Sequence, residues 1–599
     1  MRIPSLLILV LFNAAKSCVA FVLPSDTAVH VGQTLQQQHP RPYQAAPQKS
    51  PGQCRLPPLF AAATSSSVVD PQVIATGYST DDNLSEAIKE ATELALEALP
   101  DATPSSKIDL AVIFVSSLYD GTSSPSVIVP SFLDAASSYG QGIQHVIGST
   151  ASGVVGSVVN TEKNGPSCQP VEIEGSLGVS VALFVLPDVQ LQTFHCLGED
   201  VPDDFNRLPA SMWKEAVGLK GLAGDAEEAE KEDGSDNKDG APLFMVLPSP
   251  AFQNVLEDLL RGLGTYFPNS KIFGALASTV SSLSRARLFR YDAKDPQGMQ
   301  TFSDGCVGIA MTGDVDVRTM VAQGAKPVGG IYKVVKATGS TINAIVLDDA
   351  ATELERASRE SEGDDALGGD DEEDSNEPLS AEDKKAQMAA AYAKASIPKP
   401  CLAEANFLMR VLSDDDQSFM RKALLVGLER GGSVGRTPSE LARLRAGQGH
   451  RFEVKQVASA GMKDGSITLP LGKTVEPGSR MRFYVRDSSY AKKEVEALWM
   501  GYKKRVLSES FEKKSEEEKP SFRPTGCFVM PTLDRGNKFF KGKSGFESST
   551  VTTYIPEIGS VSGFFSNGVV MKLDENDPAE VGASIHGSSS GYVLFGSSK

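Results

Sequence analysis

Three groups of residues in this chain have types and spacings that could do chemistry. The first is HVIGSTASGVVGS (145–157), where an apolar run meets Gly148, Gly153 and Gly156, with hydroxyls at Ser149, Thr150 and Ser152. Successive backbone N–H groups in such a glycine-rich loop can cradle an anion, a carboxylate as well as a phosphate. A dinucleotide fingerprint would need G-x-G-x-x-G, and a phosphate loop G-x-x-x-x-G-K-[ST]. Here Val154 stands where the lysine would be, so nothing aims a charge at a β- or γ-phosphate. The only Gly-Lys-Thr, at 472–474, has six residues rather than four between it and Gly465 and reads as a turn. The alternative reading of the glycines is backbone freedom and close packing.

The second group is Cys527, Arg535, Asn567 and His586, the polar residues of the C-terminal part. A cysteine and a histidine can make a nucleophile–base pair, but no acid that would orient the histidine is identifiable. Arg535 suits a bidentate grip on a ligand carboxylate, or a structural salt bridge. The adjacent Arg486-Asp487 reads most simply as an internal ion pair. The third group is acidic. Residues 225–239 carry a net charge of −6 and residues 353–377 a net −10, out of −18 for all 599 residues. The remainder is close to neutral, which argues against a nucleic-acid surface. DDEEDSNE (370–377) lacks the D-x-D-x-D-G pattern of a calcium loop and reads as a solvated, disordered segment.

Seven cysteines are scattered without a C-x-x-C, and no two of the six histidines lie within five residues of each other. Neither a disulfide framework nor a zinc site is expected, and no metal or cofactor. Residues 1–20 (MRIPSLLILVLFNAAKSCVA) have a basic start, an apolar run and small residues at the close, as in a signal peptide. Residues 21–69 contain one acid, Asp26, among many Ser, Thr, Gln and Pro, the composition of a transit peptide. The two together resemble the bipartite presequence of plastids of secondary origin, with Ala20-Phe21 at the junction; the alternative is secretion. Folding is expected to start near residue 70, and no later segment approaches a membrane span.

The elements that must position these residues repeat. IFGALASTVS (272–281) aligns with VIGSTASGVV (146–155), placing Gly274 on Gly148 and Ser278 on Ser152. VSGFFSNGVV (561–570) matches at five of ten positions and places Gly563 on Gly148. Flanks repeat as well: strand LAVIFVS (110–116) and helix FLDAASSYG (132–140) against strand LFMVLPS (243–249) and helix AFQNVLEDLLRGLGTYF (251–267). Phe252, Leu256, Leu259, Leu260 and Leu263 share one helical face. LGVSVA with DVQLQT (177–193), and VGIAMT with DVDVRT (307–319), read as terminal strand pairs forming hairpins. The expected class is α+β, with pseudo-symmetric units at 108–196 and 242–324, mixed sheets, and three to four domains' worth of chain.

With these motifs in order, the sequence resembles the FIST family. The resemblance rests on the G-x-x-x-x-G stretch after a strand, GIAM (308–311) with Gln323-Gly324, Cys527 leading to Arg535-Gly536, Gly563-Phe564-Phe565, and the closing Ile585-His586-Gly587. It implies an N-terminal region at 106–350 with an acidic insert at 222–241, a linker at 351–399 and a C-terminal region at 400–599. The chain departs from the pattern at Met530–Asp534, where relatives carry a cysteine, and at Asn567-Gly568, where they carry Gly-Glu. No F-box-like segment precedes residue 106. The resemblance implies a non-catalytic sensory or small-ligand-binding module in signalling, with an amino acid or other small carboxylate as ligand. The ligand residues expected are Gly148, Ser149, Thr150, Ser152, Gly153, Gly274, Ser278, Cys527, Arg535, Gly563, Asn567 and His586. The alternatives are a protein-interaction scaffold and a thiol-dependent enzyme built on Cys527 and His586.

Overall fold

The computed structural model describes residues 73–99, 108–119, 127–138, 142–160, 167–202, 208–222, 241–313, 315–349, 351–352, 397–429, 452–470, 474–512, 522–573 and 582–597. Both acidic runs and the Gly472-Lys473 pair lie outside them. The described strands form four sheets, mixed or antiparallel, packed with helices in an α+β arrangement.

Three of the sheets are wired alike. The first runs, edge to edge, Val73–Ser79, Val179–Val185, Ile108–Ser116, Ile143–Ala151, Leu288–Asp292, Met299–Phe302. The second runs Val189–Cys196, Cys306–Gly313, Leu243–Pro248, Lys271–Ala275, Val569–Met571, Ser584–His586. The third runs Asp316–Ala322, Ser590–Ser597, Arg523–Pro531, Ser560–Phe564, Gly153–Asn160, Ser167–Glu174. In each, the third and fourth strands are parallel and every other pair is antiparallel. The fourth strand in each case is the one carrying Gly148, Gly274 or Gly563.

Each glycine strand then leaves its sheet and supplies the next two strands to a different one. The chain after Ala151 enters the third sheet, the chain after Phe564 enters the second, and the chain after Ala275 enters the first. The exchange closes on itself, so none of the three sheets is complete without residues from another part of the chain. The glycine stretch at 148–156 is therefore two strands with a bend at Ser152, not a loop.

The expected terminal hairpins do not form. Val179–Val185 pairs inside the first sheet, whereas Val189–Cys196 crosses to the second. Likewise Cys306–Gly313 stays in the second sheet and Asp316–Ala322 crosses to the third. The alternation of VQLQT and VDVRT marks half-buried strands, and edge strands have that character as readily as hairpin strands do.

Inner faces of the three sheets share one core. Phe114 stacks on Phe564 at 4.4 Å, and Phe184 and Phe273 both meet Phe595 edge-on. Outer faces are covered by helices: Leu84–Glu97 and Ile128–Ser138 on the first sheet, Ala210–Ala216 and Gln253–Tyr266 on the second, Ser488–Glu512 and Phe546–Tyr554 on the third. The stripe predicted for the helix at 251–267 is buried throughout: Phe252, Leu256, Leu259, Leu260, Leu263. Strands such as LAVIFV, sandwiched between core and helix, are apolar on both faces.

The fourth sheet is antiparallel and is inserted in the third, between Asp316–Ala322 and Arg523–Pro531. Its central strands are Leu425–Glu429, Arg480–Arg486, Ala325–Thr338 and Thr341–Leu347. Helices Cys401–Val411 and Asp414–Lys422 pack on it through Leu402, Ala405, Leu408 and Met420. No helix among the described residues is long and apolar enough to cross a membrane.

Candidate functional site

The three glycine strips do converge, and they converge on one another. Ser278 Oγ accepts the Ser152 N–H at 2.9 Å and donates to the Phe565 carbonyl. Ser278 N–H donates to Thr150 O at 3.2 Å, Phe565 N–H to Gly153 O at 2.9 Å, and Asn567 N–H to Leu276 O at 3.1 Å. Thr150 is further tied to Arg287 by both its N–H and its hydroxyl. Ser149, Thr150 and Ser278 are fully buried. The Ser152 and Ser278 amides and the Ser278 hydroxyl are bonded within this junction and Thr150 to Arg287, whereas the Ser149 hydroxyl is buried without a hydrogen-bond partner.

The glycines are there because parallel strands approach too closely for a side chain. A Cβ on Gly148 would lie 2.1 Å from Ile113 O, on Gly274 1.8 Å from Val246 O, and on Gly563 1.9 Å from Val529 O. Gly274 also has φ near 155°, where a side chain is strained.

Cys527 and His586 sit in different sheets. The thiol lies under the outer helices of the third sheet against the Phe528 carbonyl, and burial pushes it far above the ordinary thiol range. The His586 ring lies in the second sheet, with Nε2 3.0 Å from Met571 O. A thiol held neutral, with no base in hydrogen-bonding reach, is not an activated nucleophile.

Arg535 is fully buried and forms the centre of an ionic cluster. Its Nε donates to Glu547 Oε1 at 2.7 Å, and Tyr592 donates to the other Glu547 oxygen. Glu494 lies nearby and accepts the N–H groups of Gln323 at 3.0 Å and Gly324 at 2.5 Å. Burial raises the Glu494 carboxyl, and the Arg535 charge opposes that rise. Burial also works against the charge on Arg535, but Glu547 and Glu494 hold its pKa above the ordinary value.

The two Gly-containing motifs meet here. A Cβ on Gly324, which has φ near 64°, would lie 1.8 Å from Arg535 Nη1. A Cβ on Gly536 would lie 1.9 Å from Glu174 Oε2. Gln323 reaches the other way, bonding Phe452 O and Val454 N–H of the fourth sheet at 3.0 and 2.8 Å. Arg486 pairs with Asp534 at 2.5 Å rather than with its neighbour Asp487, which caps Ser489 N–H at 2.8 Å.

In front of this cluster is a cleft of about 900 Å³ that the sequence did not reveal. Its walls are the turn 172–177, the segment 533–544, and Thr80 with Asp82. Glu174 accepts the Asn537 N–H at 2.8 and 3.0 Å. Glu172 accepts the Ser548 N–H at 2.8 Å, at the start of helix Phe546–Tyr554. Burial lifts the Glu172 carboxyl to about 7, against the pull of that bond. Lys538 and Ser544 face the same space with Asp82 and Asp534, so both signs of charge line it. In VEIEG, alternating glutamates before a glycine read as a solvent face ahead of a turn; only the packing of 533–544 over them makes a cavity.

This geometry defines a class: an α+β body with a polar cleft at its rim and no cysteine–histidine couple among the described residues. Residues 70–345 match the family model described as the FIST N domain, so this part of the chain is a FIST N domain, of a family of signalling sensory domains. The match starts before residue 106, and so includes the strand Val73–Ser79 and the helix Leu84–Glu97 that the sequence motifs left out. No curated protein matches the chain.

Proposed function

We propose that this protein is a sensory module whose cleft between 172–177 and 533–544 takes a small zwitterion or carboxylate of amino-acid size. One observation supports this above the others: carboxylates and an ammonium line one cavity of about 900 Å³. An α-amino group would find Glu174, Asp82 or Asp534, and a carboxylate would find Lys538 and the Ser544 hydroxyl. The cleft suits a binder rather than a catalyst, since no nucleophile paired with a base lines it. Residues 1–69 would deliver the protein to a plastid of secondary origin, which a fluorescent fusion of that segment would test.

The direct test is a thermal-shift screen of amino acids and small carboxylates against residues 70–599. At least one compound is expected to raise Tm, with the shift lost in Lys538→Ala while the unliganded Tm stays unchanged. No shift with any compound, or a shift equally large in Lys538→Ala and Glu174→Gln, would sink the assignment.

A further inference from the structure

We propose that Cys196 and Cys306 are a redox-active dithiol, closed to a disulfide by exchange with a small-molecule disulfide. The two residues are 110 positions apart in the chain, yet they are directly opposite each other in an antiparallel ladder. Both are fully buried, and both belong to the cluster on the helix-covered face of the second sheet, so their side chains point the same way. Opposed residues in such a ladder have Cα atoms about 4.5–5.5 Å apart. A disulfide spans about 4.4–6.8 Å between Cα atoms, so the bond needs side-chain rotation and a small strand adjustment rather than refolding.

No other described cysteine has this arrangement. Cys168 is opposite Val159, Cys527 lies between Val561 and Leu594, and Cys401 opens a helix. The position also supplies a route in. Cys196 is the last residue of an edge strand and Cys306 the first of its neighbour. Fraying of one strand end is a low-cost opening compared with unfolding the sheet. Until that happens, burial pushes Cys196 to about 12 and Cys306 well above its ordinary value, so both stay protonated and slow.

The chemistry balances without another oxidant. One thiolate attacks a sulfur of the small disulfide, forming a mixed disulfide and releasing a small thiolate. The second cysteine thiolate attacks the protein-bound sulfur and releases the second small thiolate. Two protein thiols are oxidised, one small disulfide is reduced, and the two protons end on the released thiols. The product staples the outermost strand of the second sheet to its neighbour.

The test uses the full chain equilibrated across ratios of oxidised to reduced glutathione, then denatured, alkylated and mapped by mass spectrometry. The expected result is a linked pair of peptides containing Cys196 and Cys306, both protected from alkylation and both released by dithiothreitol. Cys306→Ser is expected to abolish the link, and Cys168→Ser to leave it intact. Full alkylation of Cys196 and Cys306 at the most oxidising ratio would overturn the proposal. So would a link from either cysteine to another partner in place of this one. The mapping on the unsubstituted chain decides the matter even where a variant does not fold.

Discussion

Residues 150–153, 276–278 and 565–568 turn their amides and hydroxyls onto one another at the centre of the body, whereas Glu172, Glu174, Asp534 and Lys538 line an open cleft at its rim. Both places have glycines, hydroxyls and backbone donors. At the centre three strand exchanges meet, and each strip is bonded to another through backbone groups and the Ser278 hydroxyl. At the rim the turn 172–177 and the segment 533–544 meet beside Thr80 and Asp82, and the charges they carry face a shared cavity. Glycine-rich sequence by itself thus does not say whether the polar groups beside it face a cavity or one another. What distinguishes the two places is whether the segments close on one another, as at the centre, or leave a cavity between them, as at the rim.

The comparison is sharpest at Arg535, which stands behind the cleft but is as buried as the centre. Arg535→Met should cost about 3–5 kcal/mol, because it leaves Glu547 and Glu494 buried without their countercharge. Urea unfolding measures it; a loss below about 1 kcal/mol would mean that the cluster is not structural. Next come the glycines. Gly274→Ala, with 1.8 Å to a backbone oxygen, should cost about 2–4 kcal/mol. Gly175→Ala, at the rim with φ near 59° and open space around it, should cost about 1 kcal/mol. Equal costs at the two sites would break the contrast between packed centre and open rim.

The effect expected from Glu172 depends on pH. The folded protein keeps this proton up to a pH of about 7, while an unfolded chain releases it near the ordinary value of 4.5. Stability therefore falls as the pH rises through that window, and the full penalty is present above about 7. Glu172→Gln keeps an acceptor for Ser548 N–H and removes the penalty. It should gain about 1–3 kcal/mol at pH 8 and nothing at pH 4, read from unfolding curves at the two pH values. A gain of the same size at both would show that the carboxyl is not desolvated.

Much of the architecture could be read directly from the chain. Strand LAVIFVS, strand LFMVLPS and the helix stripe from Phe252 to Leu263 follow from apolar period alone, because local burial writes itself into local pattern. The three aligned glycines marked a shared requirement, and each lies at the same place in its sheet. The family motifs Gln323-Gly324 and Arg535-Gly536 were visible as motifs. The sequence could not show that they touch, since they are over two hundred positions apart and joined only by packing around one guanidinium.

Strand partners were also out of reach. Alternation in DVQLQT and DVDVRT says that one face of each strand is buried, not which sheet buries it, and the expected hairpins are crossovers between sheets. Glu172, Glu174 and Lys538 carry no local signal of a cleft, because a charged residue on an alternating strand or in a turn reads as solvent-facing wherever it lies. The pairing of Cys196 with Cys306 is of the same kind. Sequence determines which stretches must be strand, helix or tight glycine contact, since those depend on neighbours along the chain. Tertiary structure alone decides which distant groups share a ladder, an ion pair or a cavity, since that depends on how three sheets exchange their strands.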